Sequence, residues 1–291
     1  MSSGPDPESR RRGRRRLGRW LRLLVGTACV GGVGLAAAAA PYVSPADPTA
    51  SDLAARLKPP LGVRGGAPGH PLGTDQLGRD LLSRILFGAR LSLATSLLTV
   101  AITVAVGTWS GVIAGYYGGL VDRLVSGLVD IQMAFPFLLL AVAIVAVLGP
   151  GLLNVVIALA LWGWVIYSRL VRAQCFSLRE QEFVQAVRAM GASDRRILAR
   201  HVLPNLVPSL LVISSFQVAQ MVVAESAMSF LGLGVQPPTP TLGSIISDGR
   251  AYVSTAWWIT TLPGLVLMIL VLGIGFIGDW LRERLDPNIQ V

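Results

Sequence analysis

The feature that most restricts this chain is a succession of apolar runs, each about twenty residues long, separated by short polar segments. A hydrocarbon layer of about 30 Å holds no water for backbone N–H and C=O groups, so runs of this kind fold as helices that satisfy their own hydrogen bonds. Six of them are readable, at 21–40, 91–114, 124–148, 152–170, 206–231 and 259–280. Hydrophobic residues make up 53% of the chain and charged ones 14%, with a mean hydropathy of +0.61, far from an ordinary soluble domain. The expected fold is therefore an all-α integral membrane protein with six transmembrane helices.

Charge orients it. The net charge of +9 comes from 24 Arg and one Lys, and eight of the Arg precede residue 23. Residues 1–20 read as a disordered, basic cytoplasmic tail that also meets anionic lipid, not as a nucleic-acid surface. The first transmembrane helix is expected at 21–41, although an Arg-rich start, an apolar centre and the ending Ala38-Ala39-Ala40 also fit a cleaved signal peptide. An external loop with an interfacial segment follows at 42–90, where Arg84 and Arg90 are expected to snorkel toward water. A five-helix core is expected at 91–281, with Pro136 near the middle of its second span, and a cytoplasmic tail at 282–291. Ala94, Ser96, Gly107 and Gly111 suit close helix contact. Both termini are expected in the cytoplasm, despite six external cations between Arg56 and Arg90 that oppose the positive-inside bias.

One charged interruption stands apart. From Arg179 to Asn205 the chain is helix-periodic but polar, with Phe183, Ala186, Val187 and Met190 at i, i+3, i+4, i+7 spacing and Arg179, Glu180, Glu182 and Arg188 elsewhere on the circumference. Gly191 offers the positive φ that ends a helix. Ser193 is placed to cap a second one, with Asp194 in its electropositive first turn, and Pro204 is expected to end that second helix. Two short helices with a sharp corner result, too small to bury a core of their own.

Ala186, Gly191, Ile197 and the run His201-Val202-Leu203-Pro204-Asn205 resemble the cytoplasmic loop signature of bacterial ABC-importer permeases. Gln185 and Val187 depart from its usual Glu and Ala. The segment from His70 to Arg84, then Gly88 to Ser92, and the run from Ser229 to Pro238 are similar to the dipeptide, oligopeptide and nickel class of these permeases. The resemblance implies a type I ABC-importer permease fold whose coupling helix spans 180–203. On it, Glu182, Gln185, Ala186, Arg188, Gly191, Asp194, Arg195, Ile197 and Pro204 would serve ATPase coupling. It further implies a sister permease, ATPase subunits that bind ATP and Mg, and an external solute-binding protein. Gln217, Gln220 and Glu225, in the fifth span, are candidates for the translocation path.

The chain carries no chemistry of its own for hydrolysis. A phosphate-cradling loop needs Gly-Lys-Ser/Thr, and the single lysine, Lys58, precedes Pro59. No His-Glu-x-x-His and no Gly-x-Ser-x-Gly occurs, so neither a zinc nor a serine hydrolase is indicated. No cofactor or metal is expected in this chain, and Cys29 and Cys175 imply no disulfide. The rival reading is an ion-coupled secondary transporter using the intramembrane acids Asp130 and Glu225; against it, Asp130 is expected to be solvated or paired with Arg123 or Arg169.

Overall fold

The computed structural model describes residues 7–285, with side chains from Trp20 onward. Its helices are α1 (Pro7–Ala38), α2 (Ala40–Val43), α3 (Leu81–Tyr117), α4 (Gly119–Met133), α5 (Phe137–Leu148), α6 (Leu152–Arg179), α7 (Glu182–Ala189), α8 (Asp194–Ile197), α9 (Leu203–Phe230), α10 (Leu242–Gly249) and α11 (Trp258–Leu285). Among the described residues the only β pairing is an isolated bridge between Thr74 and Asp80. Among the described residues five helices are long and apolar enough to cross a membrane, and α4 with α5, bent by 92° at their break, makes a sixth where the pair counts as one span.

The bend corrects the expectation of one straight span over 124–148. Pro136 has no N–H to donate and disfavours helical geometry at Phe135, so α4 ends at Met133 and α5 starts anew behind Pro136. Helix α1 likewise starts earlier than expected, at Pro7, within the segment read as disordered. Residues 1–6 and 286–291, parts of the two expected tails, lie outside the described residues.

Helix α3 begins ten residues before the expected span, because Asp80 caps it. One Asp80 carboxylate oxygen accepts from both the backbone N–H and the hydroxyl of Ser83 at 2.7 Å. Arg84 therefore sits inside the bundle and does not snorkel. It is 2% exposed and ion-pairs with the buried Asp75, and its other nitrogen lies 3.1 Å from Asp248 at the end of α10. Arg79 joins the same group, 2.6 Å from Asp75 and 3.3 Å from Asp248. Arg90, in contrast, is exposed as expected. Between α9 and α11, Thr241 and Ser244 form a reciprocal capping box, and α10 packs on α3, α9 and α11.

Close approach of α3 to α6 is the main helix contact. A Cβ on Gly107 would lie 2.5 Å from Trp164 O and from Tyr167 Cβ, one on Gly111 2.6 Å from Ser168 O, and one on Gly115 2.6 Å from Arg172 O. Only hydrogen fits along that stripe, which is the small-residue route to helix association where lipid is as apolar as leucine. Helix α1 docks on α11 in the same way at Gly26 and Gly273, and Arg22 pairs with Glu283 at 2.9 Å.

Three apolar clusters stack along the bundle. One surrounds the capped start of α3, with Leu81, Ile85, Leu242, Ile245, Trp258 and Ile259. A middle one joins α3, α5, α6 and α9 through Val100, Ala141, Leu159 and Met221. The third sits under the charged elbow.

Candidate functional site

The elbow is two faces with opposite roles. Inward, Val184 and Ile197 are fully buried against Val112, Tyr116, Val171, Cys175 and Leu206. Outward, Phe183 is 40% exposed, Met190 79%, and Ala186 is exposed between them. The apolar periodicity thus lies mainly on the outward face. Of the four expected residues only Val187 turns partly inward, and the anchor is Val184, one position off the stripe.

The corner forms for the expected reason. Gly191 takes φ +81, its N–H reaches Arg188 O at 3.0 Å, and Ala192 N–H reaches Val187 O at 3.3 Å, closing α7 with a Schellman motif. Ser193 stands in extended geometry before α8 but makes no side-chain cap. Asp194 instead accepts from the hydroxyl of Tyr116, at 2.6 Å. That hydroxyl in turn accepts from Arg188 at 3.0 Å, and the bond raises the guanidinium pKa above its ordinary value. Tyr116, not among the residues singled out from the sequence, thus ties the end of α3 to both arms of the elbow. Arg179 completes the attachment by donating to the carbonyls of Gly115 and Tyr116 at 3.2 Å, satisfying the open end of α3. Just inside, Arg172 pairs with Asp122, linking α6 to α4, with one of its nitrogens at 2.8 Å.

Pro204 does not terminate the second arm. Leu198–Val202 widens into a π-turn, and Pro204 occupies the first turn of α9, where a missing N–H costs little. Helix therefore runs from Asp194 to Phe230, and the elbow is continuous with the fifth span. Glu182, Gln185, Arg188, Asp194, Arg195 and Pro204 all lie exposed on or beside this structure.

Above the elbow the bundle holds a cavity of about 470 Å³. The α4–α5 break contributes Gln132, Met133 and Phe135. From α6 come Trp162, Gly163, Val165, Ile166 and Arg169, and from α9 Gln217 and Gln220. Two of the three expected path residues are therefore brought together. Glu225 is not in the wall; it is 2% exposed and accepts from Ser229 at 2.8 Å. Asp130 is exposed, the solvated one of its two expected states, while Arg172 holds Asp122 and Arg169 points at Met133. Among the described residues no three of His, Cys, Asp and Glu converge on a metal-sized site.

A family model described as the binding-protein-dependent transport system inner membrane component matches residues 107–291, from the glycine stripe through the elbow to the last helix. The chain belongs to that family. It is a multi-pass inner membrane component of a transport system. Relatives of this permease include the di/tripeptide transport system permease protein DppC of Pseudomonas aeruginosa, 44% identical over 86% of this chain and 83% of that protein. Another is the glutathione transport system permease protein GsiD of Shigella flexneri, 44% identical over 76% of this chain and 73% of that protein. Among solved structures, an inward-facing MetNI methionine ABC transporter superposes with a TM-score of 0.57 at 23% identity, covering 70% of the permease and 96% of that chain. At that identity the likeness concerns the fold alone.

Proposed function

We propose that this chain is the membrane-spanning permease of a bacterial ATP-driven importer of peptides, working with a sister permease, ATPase subunits that bind ATP and Mg, and an external solute-binding protein. The relatives named for dipeptide, di/tripeptide and glutathione transport support the cargo class. The observation that carries the mechanism is the elbow: an exposed Phe183–Ala186–Met190 face on a body locked to α3 by Tyr116 and Arg179 and continuous with α9. An apolar face held rigidly in the open needs a partner to cover it. A push on it reaches three spanning helices at once, which suits conversion of ATPase closure into bundle tilting. In this arrangement the elbow and both termini face the cytoplasm, the capped start of α3 faces outside, and bilayer lipid surrounds the exposed flanks.

Met190→Asp, with Phe183→Ala as a milder companion, tests the reading in the co-expressed transporter. Neither side chain supports the bundle, so the permease should accumulate normally while ATPase subunits no longer co-purify and peptide uptake is lost. Normal co-purification and uptake with Asp at 190 would refute the docking role. Uptake that persists without ATP and collapses with an ionophore would refute the ATP-driven reading altogether.

A further inference from the structure

Among the described residues, the cavity is lined by an arginine without a carboxylate. Arg172, one turn along α6, is matched by Asp122, but the one contact of Arg169 is its Nη1 at 2.9 Å from the thioether of Met133. A thioether is a weak acceptor and no counter-charge. Asp130, two residues before Gln132, lies outside the cavity wall and forms no ion pair with Arg169. The other polar groups in the wall are amides. Gln217 is 3% exposed, Gln220 opens to the surface, and Gln132 buries a side-chain nitrogen that has no acceptor. Trp162, Phe135 and Ile166 supply the apolar remainder.

Arg169 is exposed to the open side of the cavity, so its guanidinium is free to meet an anion, and its planar fork matches a carboxylate. Glutamine amides donate and accept like peptide bonds, so they recognise a peptide backbone whatever its side chains are. The volume falls within the roughly 300–1,000 Å³ of small-molecule sites. Arg169 also stands ten residues before the end of α6, about 15 Å from the elbow along one continuous helix, so occupancy and elbow position are mechanically connected.

We propose that this cavity is a transit site for the peptide within the permease, with Arg169 holding the C-terminal carboxylate and Gln132, Gln217 and Gln220 facing the backbone amides; this rests on the peptide reading above. The test uses the complete transporter in proteoliposomes with saturating, peptide-loaded binding protein, so that initial rates report steps after docking. Wild type should carry a dipeptide at least tenfold faster than its C-terminal amide. Arg169→Gln should slow the free acid at least tenfold and leave the amide within twofold of wild type, while Arg169→Lys keeps an intermediate preference. A second measurement needs no binding protein. With Cys29 and Cys175 replaced by Ala, a cysteine introduced by Ile166→Cys should be shielded from a charged thiol reagent by excess dipeptide and not by its amide, and Arg169→Gln should abolish the shielding. Equal slowing of acid and amide, an unchanged acid rate, or shielding indifferent to the carboxylate would overturn the proposal while peptide uptake stands. A wild-type transporter that carries no peptide would overturn the underlying cargo reading and this site with it.

Discussion

Replacing Asp75 with Asn tests whether the arginines before the second span are structural. Asp75 is fully buried, and its Oδ2 faces Arg79 at 2.6 Å and also binds Arg84, while Oδ1 accepts the backbone N–H of Leu77 and Arg79 at 2.8 and 3.0 Å. An asparagine oxygen can keep the two backbone bonds, so what is lost is the charge and the Oδ2 acceptor, replaced by an amide NH2 facing two guanidiniums. Two guanidiniums, 5% and 2% exposed as residues, would then share only Asp248, whose side chain is 33% exposed. Removing one partner of a buried ion pair costs about 3–5 kcal/mol. For a domain of 150–250 residues 1 kcal/mol moves the midpoint by about 2–4 °C, so a loss on the order of 10 °C is expected for this larger chain. The assay is thermal loss of the monodisperse peak of the purified complex on size-exclusion chromatography, at one heating protocol because membrane complexes unfold irreversibly. Asp248→Asn, next to water, should cost on the order of 1 kcal/mol. Adding Arg84→Gln to Asp75→Asn should recover part of the loss, a coupling that a double-mutant cycle measures. If Asp75→Asn stays within about 0.5 kcal/mol of wild type, as for an ordinary surface change, then Arg79 and Arg84 reach water and the buried network is wrong.

Other expectations are as direct. Gly111→Val forces a side chain toward Ser168 O and Val171 Cβ, which a Cβ alone would meet at 2.6 and 2.8 Å, so α3 and α6 must part. Overpacking of this kind costs about 1–3 kcal/mol, visible as lower yield and midpoint, whereas Gly127→Val, where a Cβ meets nothing within 4 Å, should be silent. Tyr116→Phe removes bonds to Asp194 and Arg188, worth about 1.5–3 kcal/mol each when charged groups take part. It should leave the ATPase subunits bound but lower solute moved per ATP, because the elbow is gripped yet loosely attached; unchanged stoichiometry would place the transmission elsewhere.

What could be read from residue order alone was whatever depends on local or cumulative properties. Span number followed from apolar length, because the bilayer tests each run separately. The corner at Gly191 followed because a positive φ is a property of one residue and its neighbours. The glycine stripe was half legible, through Gly107 and Gly111, since small residues at helical spacing announce a close contact without naming its partner. The three prolines within the spans show where that legibility stops. Pro136 breaks its span by 92°, while Pro208 and Pro263 lie inside the continuous helices α9 and α11. The same missing N–H is present each time, and the outcome depends on what surrounds the freed carbonyl. Arg84 read as a snorkelling cation because its burial rests on Asp75 being folded against it and on Asp248, 164 positions away, and the role of Tyr116 was hidden because Asp194 is 78 positions away. Which face of α7 packs inward could not be read for a related reason. Periodicity places apolar residues on one side of a helix, but whether that side meets its own bundle or a partner is decided by packing, here by Val184 filling the space beside Tyr116 and Val171.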